Sequence, residues 1–433
     1  MKLRIKNGRV IDPKNKVDAA RDVFIADNKI AALDRAPDGF QADRTIDASN
    51  LVVCPGLIDL SARLREPGFE YKATLESEML AAVAGGVTSL VCPPDTDPPL
   101  DEPGLVEMLK HRAKSLNQAR VYPLGALTQG LRGERLTEMA ELTDAGCVAF
   151  SQADVPLRDA AVLLRAMQYA ATFGFSVWLR PENGSLARGG VAHDGEVATR
   201  LGLATIPVCA ETVALATMLL LARETGAKLH LCRLSSAAGV EMIRVAKRDG
   251  LSITCDIAIN HAHLCENDIG FFDSNCHLSP PLRSAADRDA LRAALQDGTI
   301  DAICSDHTPV DDDAKQLPFA EAEIGATGLE LLLPLTLKWA RESGIPLTTA
   351  LAKITSEPAQ IIGLAADRAS GQSAGQLGVG AAADICIFDP ALRWKVEAKA
   401  LKSQGKNTPF IGQEMLGKVR YTLVNGEVVR EPA

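Results

Sequence analysis

Residues 209–232 read CAETVALATMLLLARETGAKLHLC, and they hold the fold in miniature. The first seventeen place apolar side chains at helical spacing, Gly226 follows, and a short apolar run (228–232, KLHLC) comes next. Glycine is favoured just after a helix because the chain there turns through positive φ. The device recurs: Gly86, Gly146, Gly174, Gly250 and Gly298 also stand just before a short apolar run. The candidate strands are 51–58, 88–92, 121–127, 147–150, 176–179, 228–232, 252–257 and 300–305, with a second clear helical pattern at 286–296. Eight short apolar runs, most of them preceded by a helical stretch, predict an α/β fold of the closed (β/α)8, TIM-barrel type. The alternative, an open doubly wound sheet, is disfavoured because no GxGxxG follows the first strand.

The two ends read differently. Residues 1–50 contain LRIKNGRVID, DVFIADNKI and AALD, while 375–390 and 418–430 are β-rich too, the latter with the hairpin signal Asn425-Gly426. They predict one small β domain made of 1–50 and 370–433, beside a barrel of 51–369.

A chain of 433 residues, 47% of them hydrophobic, can bury a large core. A net charge of −9 supplies no basic footprint for nucleic acid. No leader-like run opens the chain, and no stretch approaches the roughly 20 apolar residues of a membrane span. The ten cysteines are scattered singly from Cys54 to Cys386 with no CxxC pair. That pattern predicts reduced thiols in the cytoplasm, and neither a disulfide framework nor a cysteine zinc finger.

Barrel enzymes carry their chemistry where strands end. Here those ends read Asp59-Leu60-Ser61-Ala62-Arg63-Leu64-Arg65, Pro94-Asp95-Thr96, Ser151-Gln152-Ala153-Asp154, Arg180-Pro181-Glu182, Arg233-Leu234-Ser235 and Asp306-His307-Thr308-Pro309. Around them lie PGLIDLSARLREPG (55–68), AAVAGGVTSLVCPPDTDPPLD (81–101), SPPLRS (279–284), DGTIDAICSDHTP (297–309), GATGLELLLPL (325–335) and SQGKNTPFIGQEMLGKV (403–419). In content and order these segments resemble dihydroorotase, of the cyclic amidohydrolase superfamily, over nearly the whole chain.

The resemblance implies one or two zinc ions. Their ligands would be an HxH after the first strand, histidines from the fifth and sixth strands, an aspartate from the eighth and, in many members, a carboxylated lysine. This chain departs at almost every ligand. Ser61-Ala62-Arg63 replaces HxH, Arg180 and Arg233 replace the two later histidines, and Gln152 and Ala153 stand at the fourth strand. No lysine lies between Lys114 and Lys228, and Asp306 alone remains of the ligand set. Guanidinium has five donors, a fixed charge and no lone pair for a metal. The expectation is therefore no metal, no cofactor and no catalytic residue, with Asp59 and Asp306 paired instead to Arg63, Arg180 or Arg233. Arg65 matches the family arginine that grips the substrate carboxylate. Its asparagine partner is Asp95 here, whose charge is expected to repel an anionic substrate.

His261, His263 and Cys265 alternate and, on a strand, would share a face; they are a second candidate metal cluster, or else ordinary loop histidines. His307 is expected to be structural, His111, His193 and His277 have no sequence partners, and Cys232 and Cys304 read as small core residues. Asp311-Asp312-Asp313 reads as a solvated loop. By resemblance, the chain is expected to be a non-catalytic subunit of aspartate carbamoyltransferase, not an enzyme, associating with the catalytic chain and with itself. The alternatives are a cyclic amidohydrolase with an altered, metal-poor site and a protein that binds a pyrimidine intermediate.

Overall fold

The computed structural model describes residues 2–366 and 373–432. Eight parallel strands follow one another around a nearly closed barrel: β1 (Leu57–Asp59), β2 (Val87–Cys92), β3 (Arg120–Ala126), β4 (Ala149–Ser151), β5 (Ser176–Leu179), β6 (Lys228–Leu231), β7 (Ile253–Ala258) and β8 (Ala302–Cys304). The ends of the series meet beyond the strands, where Ala62 and His307 form a parallel bridge. The helices predicted at 209–225 and 286–296 are Cys209–Thr225 and Ala285–Asp297. All six joint glycines have positive φ, so the repeat read from Gly226 is the repeat that builds the barrel.

Inside the barrel, Ile58, Val91, Leu124, Trp178, Ala258 and Cys304 pack as one buried cluster. Outside it, strand side chains and helix faces such as Leu215, Val240, Ile243 and Leu291 form the larger core. Together these clusters remove the apolar face of each strand and helix from water, which is the dominant favourable term in folding.

The terminal segments form a second, eight-stranded sheet. Strands Leu3–Asp12, Val17–Ala26, Lys29–Leu33 and Arg44–Asp47 pair with Ile385–Lys395, Glu414–Val424 and Glu427–Arg430 through Val52–Pro55. The run 51–58 is thus two strands, not one: Val52–Pro55 belongs to this sheet and only Leu57–Asp59 to the barrel. Gly56 lies between them, its amide bonded to the Asp384 carbonyl at 2.8 Å. Asn425-Gly426 makes the expected tight hairpin, with φ of 51° and 73°. The expected junction at 369/370 lies outside the described residues. The Thr422 hydroxyl donates to the Val83 carbonyl at 2.7 Å, and Arg120 pairs with Asp384, so the sheet is fastened to the helix before β2 and to β3. Among the described residues, no helix is long and apolar enough to cross a membrane.

Candidate active site at the barrel mouth

The ends of β1, β5, β6 and β8 bring Ser61, Arg63, Arg180, Arg233 and Asp306 together at one mouth. Arg63, Arg180 and Arg233 have side chains only 5–6% exposed. They converge on Asp154, just beyond β4. Arg63 Nη2 lies 2.6 Å from Asp154 Oδ2, Arg180 Nε 2.9 Å from Oδ1, and Arg233 Nη2 pairs closely with Oδ1. Asp306 accepts from Arg233 Nη1 at 2.9 Å and from the Ser61 hydroxyl at 3.4 Å, with Arg63 Nη1 at 3.5 Å. Arg180 Nη1 also binds Glu182 at 2.6 Å.

Burial opposes charge on these groups, and the guanidiniums offset it. Burial would raise the Asp154 carboxyl, yet Arg233, Arg63 and Arg180 hold it far below the usual carboxylate range. Asp306 has less cationic company, and burial keeps its pKa above the ordinary value. Half of the expected pairing is realised. Asp306 pairs with arginines, but Asp59 does not: it accepts from the Ser305 amide at 2.8 Å, the Ser305 hydroxyl and the Ser61 amide. Its burial outweighs the hydrogen bonds from Ser305 and Ser61 and pushes its pKa up to about 6.

Asp95 also departs from expectation. Its carboxylate accepts from Arg63 Nε at 2.8 Å, so its charge faces a guanidinium that it shares with Asp154 and Asp306. Arg65 Nε donates to the Pro309 carbonyl at 2.8 Å, and no carboxylate among the described residues pairs with Arg65. Burial and the neighbouring Arg63 lower its pKa. These side chains line a cavity of about 410 Å³, within the range of small-ligand sites. Gln152 is used elsewhere, its amide bonded to Thr128 and to the Leu131 carbonyl.

The donor chemistry of the mouth does not fit zinc. A catalytic zinc needs about three protein ligands with free lone pairs, and three of the five family positions present permanent cations. The candidate cluster at 261–265 does not assemble either. Residues 259–262 form a single helical turn, not a strand. His261 Nε2 faces the Pro280 carbonyl at 3.1 Å, while His263 Nε2 faces that of Leu335 at 2.9 Å. Burial lowers their pKa values to about 4 and about 3.

Sequence reading missed the role of Asp154 as the common partner of three arginines, for which no motif gives a sign. It also missed a grouping of His230, Cys232 and Asp256, whose donor atoms lie within 4.8 Å of one another. Hydrogen bonds account for this group. His230 Nδ1 bonds Thr254 at 2.8 Å and Nε2 bonds Asp256 at 3.1 Å, while Asp256 also accepts from the Arg233 amide at 2.6 Å. His307 is structural in its bonding: its Nε2 donates to Glu78 at 2.6 Å and its Nδ1 accepts from the Gly328 amide. Asn407, in the KNTPF segment, fastens the loop beyond Asp306, bonding the Thr308 and Gly325 carbonyls and the Val310 amide. His193 lies 3.3 Å from Arg283, and His277 bonds the Ala322 carbonyl.

Known proteins extend the picture. The Dihydro-orotase-like family matches residues 50–238 and the Amidohydrolase family residues 251–430. A dihydroorotase-like protein of Pseudomonas aeruginosa is 45% identical over 431 residues, covering 100% of both chains. A dihydroorotase of Geobacter sp. strain M21 is 42% identical over 432 residues, covering 99% of both. Among solved structures, the L-hydantoinase (dihydropyrimidinase) of Arthrobacter aurescens superposes with a TM-score of 0.87 at 26% identity, over 99% of this chain and 96% of the other. These findings overturn the expectation that the chain is not an enzyme: relatives at 41–42% identity matched nearly end to end are named dihydroorotase and the superposed structure is a hydantoinase, which points to an active amidohydrolase. The chain belongs to the dihydroorotase-like family of amidohydrolases.

Proposed function

We propose that the chain performs dihydroorotase-type chemistry, interconverting a carboxylated cyclic ureide and its ring-opened ureido acid, with guanidiniums where its family uses metal. Arg65 carries this reading. It is a largely buried cation with no carboxylate partner among the described residues, lining a cavity of small-molecule size. Such a group binds a ligand carboxylate, and a guanidinium can do so with two parallel hydrogen bonds.

In the hydrolytic direction a water oxygen bonds to the ring carbonyl carbon. The C–N bond then breaks, and the ring nitrogen takes a proton. Asp306 is placed to accept the proton of that water, and its raised pKa brings it nearer the neutral range in which a general base works best. Arg233 and Arg63, both beside Asp306, can stabilise the negative oxygen of the tetrahedral intermediate. The test is turnover of dihydroorotate by purified protein, with metal content measured on the same sample and a chelator present. Turnover that survives chelation supports the reading. Its absence in pure, folded protein refutes it.

A second reading, assembly with the catalytic chain of aspartate carbamoyltransferase, is favoured by one surface. After β7, Phe271 is 91% exposed and Phe272 follows it. Their loop is tied to residues 314–325 by the Ser274 and Lys315 bonds and by the Gly325 amide on the His277 carbonyl. Asp273, Asp311, Asp312, Asp313 and Glu321 belong to the same two loops. This face suits a partner with an apolar hollow ringed by basic side chains. Loss of co-purification in Phe271→Ser, with turnover unchanged, supports it; co-purification at wild-type yield refutes it, and self-association would show as a dimer without the partner. A reducing cytoplasm suits the ten unpaired thiols.

A further inference from the structure

Three arginines from three strand ends close on a single carboxylate, that of Asp154. The donors are almost fully buried, while the acceptor is less so: Asp154 is 34% exposed at its side chain, against 5–6% for the arginines. It stands on the loop after β4, next to Ala153, whose φ is +50°. The donors are also incompletely used. Arg233 Nε is buried without a hydrogen-bond partner among the described residues, and Arg180 Nε lies near Asp154 without forming a hydrogen bond. The result is a built carboxylate site filled by the chain's own side chain.

Charge decides what can replace that side chain. Arg63, Arg180 and Arg233 face Asp95, Asp306, Glu182 and Asp154, and Arg65 supplies the fourth positive charge. With the Lys72–Glu323 pair at the rim, five cations stand against five carboxylates along the cavity wall, which leaves the mouth neutral. Exchange of one carboxylate for another keeps it so, whereas a neutral carbonyl placed there would leave guanidiniums uncompensated in a poorly solvated site.

We infer that Asp154 is a stand-in for a ligand carboxylate, so that the site prefers the ring-opened ureido diacid to the cyclic monocarboxylate. The inference rests on the dihydroorotase-type reading proposed above. One carboxylate of the diacid is held by Arg65, and the second, the group that ring opening creates, replaces Asp154 on the three arginines. The cyclic ureide offers one carboxylate only, and Arg65 takes it.

The test is calorimetry of the full-length protein with N-carbamoyl-aspartate and, separately, dihydroorotate, each checked for conversion at the end of the titration. The diacid is expected to bind at least about tenfold more tightly. Asp154→Asn is expected to strengthen diacid binding about tenfold further and to leave the cyclic compound unchanged. Equal affinities for the two ligands in the wild-type protein overturn the inference while leaving the function standing. Failure of both to bind, with no turnover, overturns the function itself. If Asp154→Asn does not fold, the wild-type affinity ratio decides alone.

Discussion

Replacing Arg233 with leucine tests whether the mouth is one electrostatic unit. Arg233 is the partner shared by Asp154 and Asp306. After its removal Asp154 still has Arg63 and Arg180, but Asp306 keeps only Arg63 at 3.5 Å and the Ser61 hydroxyl at 3.4 Å. Removing one partner of a buried pair costs about 3–5 kcal/mol, and the partial cover left to Asp306 places Arg233→Leu near the lower end. The cost depends on pH. Burial already raises the folded-state pKa of Asp306, and loss of Arg233 raises it further. An acid with a raised folded-state pKa contributes stability that is complete below its unfolded pKa and lost as pH rises through the folded one. The deficit of the variant is therefore largest at pH 8. It shrinks on acidification by up to about 1.4 kcal/mol per pH unit once the folded pKa is passed. Urea unfolding followed by the fluorescence of buried Trp178 and Trp339 measures it for both proteins at pH 8 and pH 5.5. A deficit below about 1 kcal/mol at pH 8, or one equal at both pH values, refutes the reasoning.

Three further outcomes follow from the geometry. Asp306→Asn should lower turnover by about 10²-fold or more, while protection by ligand in a thermal melt persists because Arg65 is untouched. The quadruple variant Ser61→His, Arg63→His, Arg180→His, Arg233→His rebuilds a ligand set around Asp306 and should hold about one zinc per chain by elemental analysis; a value below about 0.1 would mean these strand ends do not converge. Glu78→Leu strands the fully buried His307 Nε2–H and takes the partner from the part-buried Gln404 amide and should cost about 2–4 kcal/mol by denaturant unfolding, whereas a Glu78→Gln loss as large would show that charge, not bonding, is what matters.

The barrel was legible because its signal is local and repeated. Each glycine joint reports a helix end, and each apolar run a buried strand, without knowledge of anything distant. The misjudged strand at 51–58 shows the limit of that signal. A continuous apolar run marks burial, but it does not say which of two sheets does the burying, and only the pairing of Val52–Pro55 with Ile385–Phe388 decides that. The site was half legible for the same reason. Arg63, Arg180 and Arg233 stand at positions a motif marks, so their convergence could be read. The partners of Asp154 and Asn407 could not be: the strand end that carries Asp154 says nothing of which side chains it meets, and Asn407 acts 99 residues away from the Thr308 carbonyl it bonds.

The pattern of substitution has a physical logic beyond the loss of ligands. A metal mouth gathers neutral imidazoles and carboxylates around a divalent cation, so its positive charge sits at the centre. Here three of the imidazole positions carry the charge themselves, and the centre is a carboxylate, Asp154. The field at the mouth is thereby rearranged rather than discharged, and Asp306 still has cations within 3.5 Å. Asp95 follows the same rule: an anion placed where the family has a neutral amide is matched by Arg63 Nε at 2.8 Å. Unmatched loss of the histidines to apolar residues would have left Asp306 buried without a counter-ion, a cost of several kcal/mol. The compensation covers Asp95, Asp154, Glu182 and Asp306, while Arg65 has no carboxylate paired to it among the described residues.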